Sequence, residues 1–249
     1  MRQARAFTLL LTVATVTSCR QQADGAQSQA MEVAGREQRL ASRLAKADAD
    51  PKQSEPVAMW IMPPELKEIS GLALTANGRI LAHDDETATI YVIDPRGGVI
   101  LKRFNLGENP PHGDFESITT AGSDIYMLAS NGKLYEFQEG GDGENVPYSI
   151  RDTGLGKECE FESMVFEADS DWLVMPCKLV KNKSLKDQIV IYRWRRQGAD
   201  SSRVSMITIS KAQAIGSNGW KDLRPSDVTI DPATGNYVII TSHPDKAVI

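Results

Sequence analysis

Two glutamates occupy the same place in two similar segments of this chain. Glu116 stands in "GDFESIT" and Glu162 in "CEFESMVF", 46 residues later. Two carboxylates brought together in a partly desolvated site repel, and one of them tends to keep its proton. A divalent cation removes that conflict. Calcium suits such a site because it accepts several oxygen ligands in flexible geometry, backbone carbonyls and water included. One reading is therefore that Glu116 and Glu162 help bind calcium, with Asp84 and Asp227 as further ligands beside equivalent positions. The other reading needs no metal: each glutamate accepts hydrogen bonds from backbone N–H groups of the neighbouring segment. The residues alone leave both open.

Other reactive side chains form no catalytic signature. The three histidines, His83, His112 and His243, fall in "AHDDE", "PPHGDF" and "TSHPD", all strand ends or loops. A nucleophile elbow of the G-x-S-x-G type and an H-E-x-x-H zinc motif are both absent from the sequence. "HDDE" reads as a solvated turn after a strand, and "PRGG" and "EGGDGEN" read as turns, since neither carries the lysine and helix of a phosphate loop. The basic stretches "KLVKNKSLK" and "YRWRRQG", the latter with Trp194, could touch anionic envelope polymers but read more simply as solvated blade edges. Of three cysteines, Cys159 and Cys177 lie symmetrically about the "ADSD" turn. In an exported chain they are expected to form a disulfide across one hairpin, facing each other if no bulge shifts the register.

The elements that must position these groups repeat. "EISGLAL", "DFESITT", "EFESMVF" and "RPSDVTI" align, with third positions Ser70, Glu116, Glu162 and Ser226. The first two intervals are 46 residues and the third is 64, the excess falling around "KLVKNKSLKDQ" and "KAQAIGSNGWKD". Each copy continues into a turn ("TANG", "AGSD", "ADSD", "DPATGN") and a second apolar run ("ILAHD", "IYMLAS", "WLVMPCK", "YVIITSH"). A third run is visible in the first three copies. Short apolar runs parted by Gly, Asn, Asp and Pro predict antiparallel β-structure. A period of about 40–50 residues with three or four strands predicts an all-β fold, a β-propeller of four recognisable blades. The innermost strands would then line a central channel and gather the four third positions around it. Residues 211–222, with two glycines, are expected to be a loop. The sequence stops within the fourth copy with no fifth entry motif, which reads as a propeller truncated at its C-terminus.

Upstream of residue 57 the chain has another character. Arg2 and Arg5 precede an apolar run at residues 6–16, followed by "VTSC". This reads as a bacterial lipoprotein signal, with residues 1–18 expected to be removed and Cys19 lipidated; the other reading is an ordinary secretory signal with an incidental cysteine. Acyl chains would hold the protein to a membrane it does not cross. Arg20, in place of a retention aspartate, points to the outer membrane, facing the periplasm. Residues 19–56, rich in Gln, Ala and balanced charge, form a tether, with Leu40 and Leu44 spaced for a short helix at 36–47. Residues 57–249 are the propeller domain. The net charge of −5 and the absence of a basic face argue against a nucleic-acid partner.

The four entries "EISGLAL…HDDETATIYVID", "GDFESIT…DIYMLASNGKLYEF", "CEFESMVF…PCK" and "RPSDVTIDPATGNYVIITS" together resemble the SdiA-regulated family of bacterial envelope proteins, distantly similar to NHL-repeat propellers. That resemblance covers residues 60 to 249. It implies a five-bladed propeller with a bound calcium ion and no established catalytic activity. The family's usual entry is Glu-Gly, where this chain has Ser117 and Ser163. The function expected is a lipid-anchored, calcium-binding, non-catalytic module for an envelope ligand or protein. The alternative is a calcium-dependent hydrolase of the esterase, lactonase or phytase kind.

Overall fold

A computed structural model of the chain describes residues 60–197, 203–215, 223–243 and 245–248, together with Met31, Ala34, Gly35, Gln38, Arg39, Ala41 and Ser42. The signal segment, Cys19, Leu40 and Leu44 lie outside the described residues. The chain divides into two compact units, Met1–Ile61 with Arg96–Gly98, and Met62–Pro95 with Val99–Ile249. In the first, the seven described residues between Met31 and Ser42 are helical. No helix among the described residues is long and apolar enough to cross a membrane.

The second unit is built from strands. β1 (Ile69–Leu74), β2 (Ile80–Asp84), β3 (Thr89–Asp94) and β4 (Val99–Leu106) form an antiparallel meander. The second sheet holds β5 (Phe115–Ala121), β6 (Asp124–Ala129) and β7 (Lys133–Gln138). After it, β8 (Asn145–Val146) returns to pair in parallel with β4, and β9 (Tyr148–Asp152) closes the second sheet on β7. In the third sheet the first strand is split into β10 (Cys159–Phe161) and β11 (Val165–Glu167). Both pair with β12 (Trp172–Val180), which is followed by β13 (Gln188–Arg195) and β14 (Val204–Ser210). The fourth sheet has β15 (Arg224–Ile230), β16 (Tyr237–His243) and β17 (Asp245–Val248).

Each sheet starts with one of the four repeated segments and runs up and down in chain order, apart from β8, which joins the first sheet in parallel. The first strand of one sheet packs beside the first strand of the next: β1 on β5, β5 on β11, and β15 on β11 and β12. This is radial repetition of blades, and the fold is an all-β propeller.

In blades two and three the central strands are apolar on both faces because each of these blades is covered twice. In β6, Ile125, Met127 and Ala129 join a core with the first blade, while Tyr126 and Leu128 join a core with the third. Trp172, Val174, Ile189 and Ile191 carry a third core between blades three and four, with Val228 and Ile239. Polar links reinforce the joins. Arg79 and Lys102 of the first blade both reach Glu139 after β7. The Ser117 hydroxyl donates to the Met164 carbonyl and accepts from the Met164 N–H across blades two and three.

Two expectations are corrected. Lys211–Ile215 is a single helical turn and not loop. Lys, Ala, Gln and Ala are good helix formers, and the first glycine comes only at 216. Trp194 is buried at 4% exposure in the core between blades two and three, with Arg193 and Arg195 half-buried beside it, so "YRWRRQG" is not a solvated edge. Lys181, Lys183 and Lys186 are exposed, as a solvated edge requires.

Candidate functional site

The inner strands are irregular at one recurrent place. Strand pairing skips from Ile69 to Gly71 in β1, from Phe115 to Ser117 in β5, and from Pro225 to Asp227 in β15. The residues left without a partner are Ser70, Glu116 and Ser226. In the third blade the strand shifts register at Glu160–Phe161 and then breaks, with Glu162 in the gap. The third positions of the repeat are therefore bulges or breaks. A bulge bends its strand and re-aims the extra side chain, so one local defect, repeated, turns these groups away from the sheets.

Three of the side chains meet through an unanticipated fourth. The Ser70 hydroxyl donates to Glu116 Oε2 at 3.4 Å. Lys178, near the end of β12, is ion-paired with Glu162 Oε1 and lies 3.8 Å from Glu160 Oε1. Burial pushes the Glu116 carboxyl up to about 7, and the charges of Asp114 and Glu162 push the same way against Lys178 and the Ser70 hydrogen bond. Burial works to lower the Lys178 ammonium, but its hydrogen bond to Glu162 and the charges of Glu162, Glu116 and Glu160 outweigh that and raise it. Glu162 Oε2 is buried and accepts no hydrogen bond. The Lys178 ammonium thus feels the charges of Glu162, Glu116 and Glu160, Asp114 acts on Glu116 from its other side, and Glu116 is poised to hold or release a proton near neutral pH.

Asp84 and Asp227 are engaged elsewhere. Asp84 Oδ1 accepts from the N–H groups of Glu86 at 3.0 Å and Thr87 at 2.6 Å, and both its oxygens meet the Thr87 hydroxyl. This is a self-capped turn, so "HDDE" shapes the chain after β2. Asp227 is exposed and accepts from the Val228 N–H at 2.8 Å. Ser226 donates to the Ile240 carbonyl at 3.4 Å. Among the described residues no three His, Cys, Asp or Glu side chains converge to hold a metal ion. Calcium takes six to eight oxygens, and Glu162 already has a cation. As disposed, the side chains do not fit a closed calcium cage.

The histidines separate. His83 is fully buried, its Nδ1 donating to the Asp84 carbonyl at 2.7 Å, and burial lowers its pKa. Its Nε2 is packed against Gly71, where an added Cβ would lie 2.3 Å away. His112 is exposed and bridges Thr87. The side chain of His243 lies outside the described residues.

Cys159 and Cys177 are joined, with Cα atoms 5.5 Å apart. They are not directly opposed: Cys159 faces Val180 and Cys177 faces Phe161, because the bulge at Glu160–Phe161 shifts the register. The bridge staples β10 to β12 next to Glu160, Glu162 and Lys178. Lys178 was overlooked in the sequence, although it ends the second run of the third copy and so had to fall beside the inner strand.

No family model matches the chain, and no curated protein matches it. Solved structures similar to it include the β-propeller domain of Cps50 (Swd1) from Myceliophteria thermophila, at 8% identity and TM-score 0.41, covering 70% of this chain and 49% of that one. A nidogen/laminin complex is similar at 15% identity and TM-score 0.44, covering 72% and 59%. The PQQ-bound aldose sugar dehydrogenase from Streptomyces coelicolor is similar at 14% identity and TM-score 0.46, covering 76% and 77%. The chain spans about half to three-fifths of the first two.

Proposed function

We propose that the chain is a non-catalytic binding module of the bacterial envelope, anchored through lipidated Cys19, whose channel mouth engages a cationic group on its ligand. The observation that carries this reading is the irregularity repeated in the inner strands, which brings Glu116 and Glu162 within reach of the Lys178 ammonium, with Glu160 also acting on it and Asp114 acting on Glu116. An incoming cation competes with Lys178 for those carboxylates. The anchor and the periplasmic, outer-membrane placement rest on the pattern of residues 1–20.

Calcium is a second reading of the same mouth. It is favoured by the unpartnered, buried Glu162 Oε2 and by the burial and like charge that raise the Glu116 carboxyl to about 7. Binding would require Lys178 to leave Glu162.

Thermal unfolding of wild type, Lys178→Met and Glu116→Gln/Glu162→Gln, with calcium and with EGTA, tests both. A ligand specific for the folded state at 100 times its dissociation constant adds about 2.7 kcal/mol. The expected result is a large calcium shift in Lys178→Met, a smaller one in wild type and none in the double variant. Equal shifts in all three would place the calcium elsewhere. No shift in Lys178→Met would end the cation reading. Calcium-dependent turnover of aryl esters, lactones or phytate would replace a binding module with a hydrolase.

A further inference from the structure

A second site lies at the other end of the third blade and is independent of the channel mouth. Trp172 and Lys178 mark opposite ends of β12, roughly 20 Å apart at about 3.3 Å per residue. At the Trp172 end, Arg193 and Arg195 occupy consecutive same-face positions of β13, about 6.7 Å apart along the strand. Both guanidinium groups lie over the Trp172 ring, at 5.2 and 4.3 Å from its centroid. The face is that of Ile189 and Ile191, which turn toward blade four.

The partners of these arginines are few. Arg196, the next residue along, is fully engaged: its guanidinium reaches Asp171 at 2.7 Å, Asp124 at 3.3 Å and the Ala121 carbonyl. By contrast, among the described residues no carboxylate lies within ion-pair distance of Arg193 or Arg195. Arg193 donates to the Ser205 hydroxyl at 3.0 Å and also meets the Tyr237 hydroxyl, which itself donates to Glu167, whereas the side chain of Arg195 donates to no acceptor among the described residues. The Nε–H of each is buried and unmet. An unsatisfied buried donor costs about 1–3 kcal/mol, more when charged. A guanidinium stacked flat on an aromatic ring keeps its in-plane donors free, and its orientation is fixed before a ligand arrives.

We propose that Arg193 and Arg195, held over the ring of Trp172, form a binding site for a phosphate-type dianion. Two planar forks on one strand match two edges of a tetrahedral oxyanion bidentately. A double positive charge favours a dianion over a single carboxylate. Ser205 orients Arg193 and so acts as a positioning residue.

The test is calorimetric titration of the full chain with inorganic phosphate at pH 7.5 and low salt, with sulfate and acetate as comparison arms. Saturable phosphate binding below about 5 mM is expected, with acetate at least tenfold weaker. Arg193→Gln and Arg195→Gln should each weaken phosphate at least fivefold. Arg195→Lys keeps the charge but loses the stacked fork, and should still weaken it several-fold. Arg151→Gln, whose arginine pairs with Glu136 on another blade, should change nothing. Unfolding midpoints within a few degrees of wild type establish that each variant is folded. The proposal is overturned if folded wild type shows no saturable phosphate binding, if the Arg193 and Arg195 variants bind as wild type does, or if acetate binds as tightly as phosphate.

Discussion

Replacing Glu116 by Gln isolates the electrostatics of the channel mouth. The folded protein holds the Glu116 carboxyl near 7, against an ordinary value of 4.5. A carboxyl raised in this way binds its proton more tightly folded than unfolded. Between about 4.5 and 7 the native state therefore carries more protons, and stability falls as pH rises through that window. A shift of that size corresponds to about 3 kcal/mol at full value. Glu116 is only half-buried, so solvent screening reduces the expected figure to about 1–2 kcal/mol. A glutamine is a neutral mimic of the protonated acid. At pH 5 the variant and wild type should match within about 0.5 kcal/mol. At pH 8 the variant should be the more stable by about 1–2 kcal/mol. Urea unfolding at both pH values gives the difference directly, and other titrating groups cancel between the two proteins. A variant no more stable than wild type at pH 8, or a difference that does not change with pH, would refute the claim that burial and like charge crowd this carboxyl.

Three further outcomes follow from packing. Cys177→Ser opens the bridge to Cys159, 18 residues away, and should lower stability by about 3 kcal/mol; reductant should depress the wild-type midpoint but leave the variant's unchanged. Gly71→Ala puts a methyl group 2.3 Å from His83 Nε2 and 3.0 Å from the Ile118 nitrogen, so a loss of about 1–3 kcal/mol is expected in urea titration. Phe161→Ala removes a fully buried ring from the core between blades two and three and should cost about 3–5 kcal/mol by the same measure.

The propeller was legible because each blade begins with a similar segment and turns on the same kind of residues. Apolar runs such as "IYMLAS" are buried on both faces, and continuous hydrophobicity is what a doubly covered strand requires. The candidate site was legible only in part. Alignment marked Ser70, Glu116, Glu162 and Ser226 as equivalent, and the structure makes them the bulge or break of each inner strand. Their chemistry depends on what lies across the strand, which a linear pattern does not encode. Lys178 reaches Glu162 through the pairing of β10 with β12, and its register depends on a bulge with no sequence signature of its own. Asp84 looked like a ligand because it adjoins the right position, yet Thr87, three residues on, takes its oxygens first. The half-buried Arg193 and Arg195 were misjudged because alternation along β13 puts charge where the strand turns from an apolar core to its end.

The separate cores between successive blades have a consequence for how the protein comes apart. Each core is contributed by two neighbours, so no single centre holds the propeller together. Cohesion is then close to a sum of couplings between neighbouring blades, as in stacked-repeat proteins. Among the described residues the core shared by blades three and four is smaller than the two cores flanking blade two, so that join should open first. Amide exchange would record this as weaker protection in β16 than in β6.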